Sequence, residues 1–391
     1  MFQRPHQLLT EFARHGYESY FCPANPANNP EVYGIKQVDE NLYLCGDMNL
    51  LRDEENPILY ITHPRDWNTI GKFKLPFVLY DVIDDIRVFW TFSESAEDMR
   101  SYDRLLTKNA DVITTTALKL FYDKRKQRSD TILVPNGADF LHFSQKITRE
   151  EVPPDISILK QEGRPIVGYY GAMARWLDYD LINHMARERP DWNIVLIGMD
   201  FDGTMKALEI LPNIHYLGEK KYRDLPAYLS LFDVATIPFR IDRITVSTNP
   251  IKMYEYMSAG KPVVTTDIPE THRYRYIQTA STQQEFVDEV DRALAYGQRR
   301  RYREKLKETG KRAAWKNRFK DMDNVIKRKI ESESSVYSVN PDIIIDGIES
   351  DNEYRFVREE TIRFPRYIRK TFPIYEDKDR KLWLAKKCKN H

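Results

Sequence analysis

Two successive series of short apolar strands alternating with amphipathic helices run along this chain, and no other feature narrows its fold as much. In the first series, strand-like runs fall at 18–22, 58–62, 77–82, 112–115 and 131–134, with helical stretches at 5–15, 96–108 and 117–126. The second series places strands at 166–170, 193–197, 214–217, 234–238 and 263–266. Helices are expected between and after these at 180–187, 205–210, 225–231, 251–258 and 283–295. Such alternation specifies an α/β fold, because parallel strands need crossovers and the crossovers cover both faces of the sheet. The turn signal Pro135-Asn136-Gly137 separates the series, so two doubly wound domains are expected, with a ligand cleft between them. The first series opens with a helix where such domains open with a strand, so a first strand is expected to be absent or upstream.

Bulk composition excludes several classes. Lys+Arg 60 against Asp+Glu 59 gives no overall basic balance, so no nucleic-acid partner is expected. Cys22, Cys45 and Cys388 are scattered without a CxxC pair, which argues against a disulfide framework or structural zinc and suits a reducing cytoplasm. No apolar run reaches the length of a membrane span, and Met1-Phe-Gln-Arg-Pro5 is not a signal peptide. Charge is uneven locally: 299–329 carries 14 Lys/Arg and 4 Asp/Glu. That stretch is expected as one long basic helix to about 331, followed by a linker at Ser332-Glu-Ser-Ser335.

The segment Asn249-Pro-Ile-Lys-Met-Tyr-Glu-Tyr-Met-Ser-Ala-Gly260 reads as a helix with Asn249 as N-cap, Pro250 in the first turn and Gly260 at the end. Its first turn offers free N–H groups and a positive dipole end to a phosphate. Lys252 and Glu255, three apart, share a face suited to a diphosphate and a ribose diol. The plain alternative is a surface salt bridge between them. The buried strand that follows places the helix within a βαβ unit.

Seven segments together resemble GT-B glycosyltransferases: Phe2-Gln-Arg-Pro-His-Gln-Leu8, Tyr80-Asp-Val-Ile-Asp-Asp85, Val134-Pro-Asn-Gly-Ala-Asp139, Val167-Gly-Tyr-Tyr-Gly-Ala172, Leu196-Ile-Gly198, Tyr216-Leu-Gly218 and the 249–260 helix. The resemblance spans residues 2 to about 320 and is nearest to bacterial exopolysaccharide and teichuronic-acid transferases, including the xanthan glucuronosyltransferase. It implies a Rossmann-like acceptor domain over 1–140, a Rossmann-like nucleotide-sugar domain over 141–298, and a helix over 299–331 crossing back to the first. Residues 332–391 form an extension to which the pattern assigns no fold.

The same resemblance implies a UDP-sugar donor and a saccharide or lipid-linked acceptor, in cell-surface polysaccharide synthesis on the cytoplasmic side. It puts the donor diphosphate and ribose at Gly171, Arg175, Arg240, Asn249, Lys252 and Glu255. Gly171 suits close backbone approach, Arg175 is expected at the start of the next helix, and Arg240 follows a strand end. Ser247 stands eight before Glu255, where many retaining members carry a first glutamate. Thr245-Val-Ser-Thr-Asn-Pro250 resembles the branch that includes inverting enzymes, so both stereochemical outcomes stay open.

A general base is expected just beyond the strand at 77–82, from Asp84 or Asp85, with Asp85 favoured and the other structural. His6 and His63 are secondary candidates. Asp200-Phe-Asp202 mimics the metal-binding DxD of another transferase fold, but Asp178-Tyr-Asp180 has the same form, and no metal or other cofactor is expected. Gly260-Lys261 lacks the upstream glycine of a P-loop. The basic helix could also contact an anionic membrane. A nucleotide-sugar epimerase and a catalytically silent nucleotide-sugar-binding subunit are the alternatives.

Overall fold

A computed structural model describes residues 3–22, 34–74, 76–89, 95–336, 355–364, 368–376 and 382–384. Phe2, Cys388 and much of the 332–391 extension lie outside the described residues.

The first domain begins with α1 (Arg4–Arg14), whose Gln3 and His6 form a reciprocal cap and whose Leu8 and Phe12 face the core. β1 (Ser19–Phe21), β2 (Ile35–Asp39) and β3 (Leu42–Cys45) make a small sheet in the order β1-β3-β2. Next come β4 (Ile58–Ile61), β5 (Phe77–Val82), α2 (Ala96–Asn109), β6 (Val112–Thr115), α3 (Leu118–Arg125) and β7 (Ile132–Leu133). Strands β4 to β7 form a parallel sheet in sequential order. Among the described residues no strand precedes α1, and the domain's strands form two separate sheets. The hairpin β2–β3 escaped the sequence reading because β2 is exposed throughout and carries little apolar patterning.

The second domain comprises α4 (Phe140–Ser144), α5 (Pro154–Gln161), β8 (Ile166–Tyr170), α6 (Tyr179–Glu188), β9 (Asn193–Ile197), β10 (Ile214–Tyr216), α7 (Leu225–Leu231), β11 (Val234–Ile237), α8 (Ile251–Ser258), β12 (Val263–Thr266), β13 (Ile277–Ala280) and α9 (Gln283–Tyr296). Its six-stranded parallel sheet runs β10-β9-β8-β11-β12-β13, the doubly wound order that reverses direction between β8 and β11. The helix expected at 205–210 is only a short 3₁₀ turn, Thr204–Ala207. Buried Asn183 donates to the Ala207 carbonyl and accepts from the Glu209 N–H, which occupies backbone groups that a longer helix would use.

The long basic helix is two helices, α10 (Arg300–Arg312) and α11 (Trp315–Val336). The break lies at Ala313–Ala314, where the hinge strand after β7 inserts: Ala138 and Ala314 form a β-bridge, and the Ala138 N–H donates to the Ala313 carbonyl. α10 stays with the second domain, Gly310 fitting closely against Ser258 of α8. α11 crosses back, burying Trp315, Phe319, Met322 and Ile326 against α1, β5 and β6. It runs through the expected linker at 332–335 without interruption. Beyond it, β14 (Arg355–Phe364), β15 (Ile368–Glu376) and β16 (Leu382–Leu384) pair as an antiparallel sheet.

Candidate active site

The direction reversal between β8 and β11 opens a crevice beyond their carboxyl ends, and the chain lines it with residues that tolerate little substitution. Gly171 follows β8 with φ +147°, and a Cβ there would lie 2.6 Å from the Tyr169 hydroxyl and 2.9 Å from Lys252 Cε. Gly198 follows β9, and its Cβ would meet the Gly171 carbonyl oxygen at 1.8 Å. These two glycines let the strand ends and α8 approach each other.

α8 brings the two charged candidates to this crevice, though by a different local design from the one expected. Its N-cap is Pro250 rather than Asn249, and no side chain caps it. Asn249 is buried because it faces the interdomain hinge: its Oδ1 accepts from the Asn136 N–H at 3.3 Å, and its carbonyl accepts from Asn136 Nδ2 at 2.7 Å. The first turn of α8 therefore keeps its backbone N–H groups free of a side-chain cap.

Lys252 Nζ sits 5.0 Å from the Phe239 ring centroid and 5.4 Å from that of Tyr169. Burial pushes its ammonium down to about 8, against the opposing pull of Glu255. Glu255 is 5% exposed and accepts a hydrogen bond from the Tyr170 hydroxyl at 2.8 Å. Burial pushes its carboxyl up to about 7, while the Tyr170 bond and Lys252 hold it down. A buried carboxylate beside a half-buried ammonium, both perturbed, in a crevice is the reverse of a solvated surface bridge, so that plain alternative fails.

The two arginines stand further out. Arg240 lies past β11 with its side chain half exposed, 3.9 Å from Asp180. Arg175 is exposed in a turn and not at a helix start, since α6 begins four residues later with Asp178 capping it. The Arg175 N–H donates to Asp202, which also accepts from the Thr204 hydroxyl. The DxD-like Asp202 is thus occupied in bracing a loop. Among the described residues no group of three or more His, Cys, Asp or Glu is arranged to hold a metal. Ser247 is buried, so no carboxylate occupies that position.

In the first domain the two adjacent aspartates sit in different surroundings. Asp85 is clamped by Arg87, whose Nε and Nη2 each donate at 2.6 Å, and the Arg87 N–H adds a third bond at 3.0 Å. Burial opposes ionisation of Asp85, but these bonds hold its carboxyl below the usual range. Asp84 lines a cavity of about 130 Å³ with Thr62, Tyr80, Asp103, Lys124 and Gln127. Burial, reinforced by the charge on Asp85, pushes its carboxyl up to about 7. Asp84 is therefore the member of the pair with a base's properties. His63 caps a 3₁₀ turn through Nδ1 and is pushed down to about 4 by burial and Arg65. Burial also lowers His6, whose Nδ1 accepts from the Gln3 N–H.

Residues 164–296 match the family described as Glycosyl transferases group 1. The second domain is a group 1 glycosyltransferase domain. The chain is 25% identical over 282 residues, 66% of its length, to the provisionally named teichuronic acid biosynthesis glycosyltransferase TuaH of Bacillus subtilis (strain 168), covering 70% of that protein. Its fold resembles sucrose-phosphate synthase from Thermosynechococcus elongatus, with a TM-score of 0.60 at 12% identity over 86% of this chain and 93% of that one. It also resembles Anabaena HepE, solved in complex with UDP-glucose, with a TM-score of 0.52 at 16% identity over 71% and 78%. The fold is GT-B and the chain is a glycosyltransferase. Neither the epimerase nor the silent-subunit alternative finds support in these relatives.

Sequence reading missed what ties this transferase's halves together. Buried Arg4 donates to Asp81 through Nε at 2.6 Å and Nη2 at 3.0 Å, and Asp81 also accepts from Tyr60 and Thr114. Arg4 Nη1 reaches the Pro135 carbonyl and Asn136 Oδ1. Asn136 bonds Asn249 and accepts from Arg318 of α11, so one polar chain links the first core, the hinge and the start of α8. Tyr170 and Tyr222 were also missed, the latter accepting from Gln7 of α1 across the cleft. Arg4, Asp81 and Asn136 all fall inside motifs recognisable in the sequence. Their burial and pairing were not readable there.

Proposed function

We propose that this transferase moves a sugar from a UDP-sugar donor to a saccharide or lipid-linked acceptor in cell-surface polysaccharide synthesis, working at the cytoplasmic face of the membrane. The observation that carries the donor assignment is the Lys252–Glu255 pair beside Gly171 at the sheet's reversal point. In this proposal Lys252, Arg240, the outer Arg175 and the uncapped first turn of α8 take the diphosphate, Glu255 takes the ribose diol, and Gly171 admits the phosphates. Asn249 serves by fixing the entry to α8 on the hinge. These fixed donors, and no metal, stabilise charge on the leaving diphosphate, usually a large catalytic contribution in a water-poor site. Asp84 accepts the proton of the attacking hydroxyl. Support for a UDP-sugar and for a polysaccharide pathway comes from the names of the relatives, HepE with UDP-glucose and TuaH in teichuronic acid biosynthesis.

Exposed Arg299, Arg301, Lys311, Arg312, Lys316 and Lys320 on and beside α10 and α11 suit the anionic leaflet that a lipid-linked acceptor occupies. No helix among the described residues is long and apolar enough to cross a membrane. Thermal-shift and calorimetric screening of nucleotide sugars against wild type and Glu255→Ala tests the donor site. A UDP-sugar is expected to stabilise the wild type and to bind the variant more weakly, and equal binding would remove the site assignment. Turnover in excess chelator is expected to persist, and its loss would return the metal.

A further inference from the structure

The clamp on Asp85 reaches the other domain. The guanidinium Nη2 carries two hydrogens: one goes to Asp85 Oδ2, and the other to the Arg243 carbonyl of the second domain at 3.0 Å. Arg243 lies in a tight turn, where Asp242 Oδ1 accepts from the Ile244 and Thr245 N–H groups and the Thr245 hydroxyl donates to the Arg240 carbonyl. That turn leads through Ser247 and Asn249 into α8. A second contact pins the same rim: Glu270, buried and paired with Arg273, accepts from the Leu118 N–H at the start of α3. α3 in turn supplies Leu120, Asp123, Lys124 and Gln127 or its flank to the Asp84 cavity.

We propose that Asp85 and Arg87 are positioning residues that hold the Asp84 cavity in register with the donor-side turn at 240–245. The inference rests on Asp84 being the base. An ionised Asp85 next in sequence to a half-buried base would drift and repel it. The Arg87 fork holds that carboxylate in a bidentate pair, and its second Nη2 hydrogen goes to the donor domain. The couple thus supplies both distance control and charge control. Among the described residues, the other charged or titratable groups lining that cavity are Tyr80 on β5, Asp103 on α2, and Asp123 and Lys124 on α3. Lys124 is committed to Asp103, with Nζ 2.5 Å and 2.6 Å from its oxygens, and Asp123 is paired with Lys119, so among these groups Asp85 is the charge that acts on Asp84.

Arg87→Ala and Asp85→Asn separate these roles. Removing Arg87 leaves Asp85 uncompensated and makes Asp84 harder to ionise. Removing the Asp85 charge makes Asp84 easier to ionise. Each displacement is roughly one to three pH units for a neighbouring charge at an effective dielectric near 20. The direct measurement is carbon-13 NMR titration of protein labelled at the aspartate carboxyl carbons, with the Asp84 resonance identified by its loss in Asp84→Asn. The expected result is an upward move in Arg87→Ala, a downward move in Asp85→Asn, and near-wild-type titration in Arg87→Lys. Turnover should fall roughly 10- to 100-fold in Arg87→Ala, as for a sub-ångström to 1 Å misplacement, while UDP binding measured by calorimetry is kept. Displacements in the same direction, or none, overturn the positioning couple even if Asp84→Asn is inactive. Undiminished turnover of a UDP-sugar by Asp84→Asn instead overturns the base assignment beneath it.

Discussion

Replacing Lys252 by methionine separates a ligand-binding lysine from a structural one, because the two roles predict opposite signs. The ammonium lies over two aromatic rings, and burial lowers it from 10.5 to about 8. At ~1.36 kcal/mol per pH unit, keeping it charged in the unliganded fold costs about 3 kcal/mol. A lysine depressed in the folded state destabilises the fold in full below about pH 8. The penalty is relieved as pH rises toward 10.5, where the native form has lost a proton that the unfolded chain still holds. Methionine keeps the stem's volume and removes the charge. Lys252→Met is therefore expected to gain up to about 3 kcal/mol near neutral pH, several degrees in Tm at roughly 2–4 °C per kcal/mol. The gain should shrink between about pH 8 and pH 10. The same change removes charge-assisted bonds to a diphosphate worth roughly 1.5–3 kcal/mol, so UDP should bind about 10- to 150-fold more weakly. Urea melts at two pH values and calorimetry with UDP give both quantities. A variant that melts below wild type and binds UDP equally well would refute the assignment and make Lys252 a structural residue.

Three further outcomes follow from the same geometry. Gly171→Ala forces a Cβ to 2.6 Å from the Tyr169 hydroxyl. It should cost roughly 1–3 kcal/mol in a urea melt and weaken UDP binding as the Lys252 stem is displaced. Asp81→Asn leaves the Arg4 guanidinium buried without its counter-charge, so a loss of roughly 3–5 kcal/mol is expected in the same melt. Asp84 must be ionised to accept a proton, so turnover should fall about tenfold per pH unit below about pH 7, measured as UDP release across pH. A rate independent of pH from about 5 to 8 would contradict it.

The helix at 251–258 shows how legible the proposed donor site was. Its helical pattern, the Lys252–Glu255 spacing and the glycine after its end are local facts, and the chain folds as they indicate. Local pattern failed two residues upstream. Asn249 has the side chain of an N-cap, but the hinge residue Asn136 competes for its amide oxygen and carbonyl, and a partner 113 residues away leaves no trace in local propensity. The two aspartates were just as hard to tell apart in the sequence. Adjacent carboxylates beyond a strand look equivalent in sequence, and only the fork from Arg87 and the cavity wall make one a fixed anion and the other a half-buried acid.

By itself the sequence determined the repeated α/β alternation, the doubly wound class and the helix at 251–258, because these depend on periodicity and glycine positions close together in the chain. The tertiary structure alone decided which charges are buried. Lys252 and Glu255 become a perturbed pair only when β8, β9 and β11 bring Gly171, Gly198, Tyr169, Tyr170 and Phe239 around them. It also decided that the basic helix breaks at Ala313–Ala314, since the hinge strand pairs there and sends α11 across to the first domain. Ionisation and domain connection depend on solvent exclusion by distant segments, a property the linear order of residues does not contain.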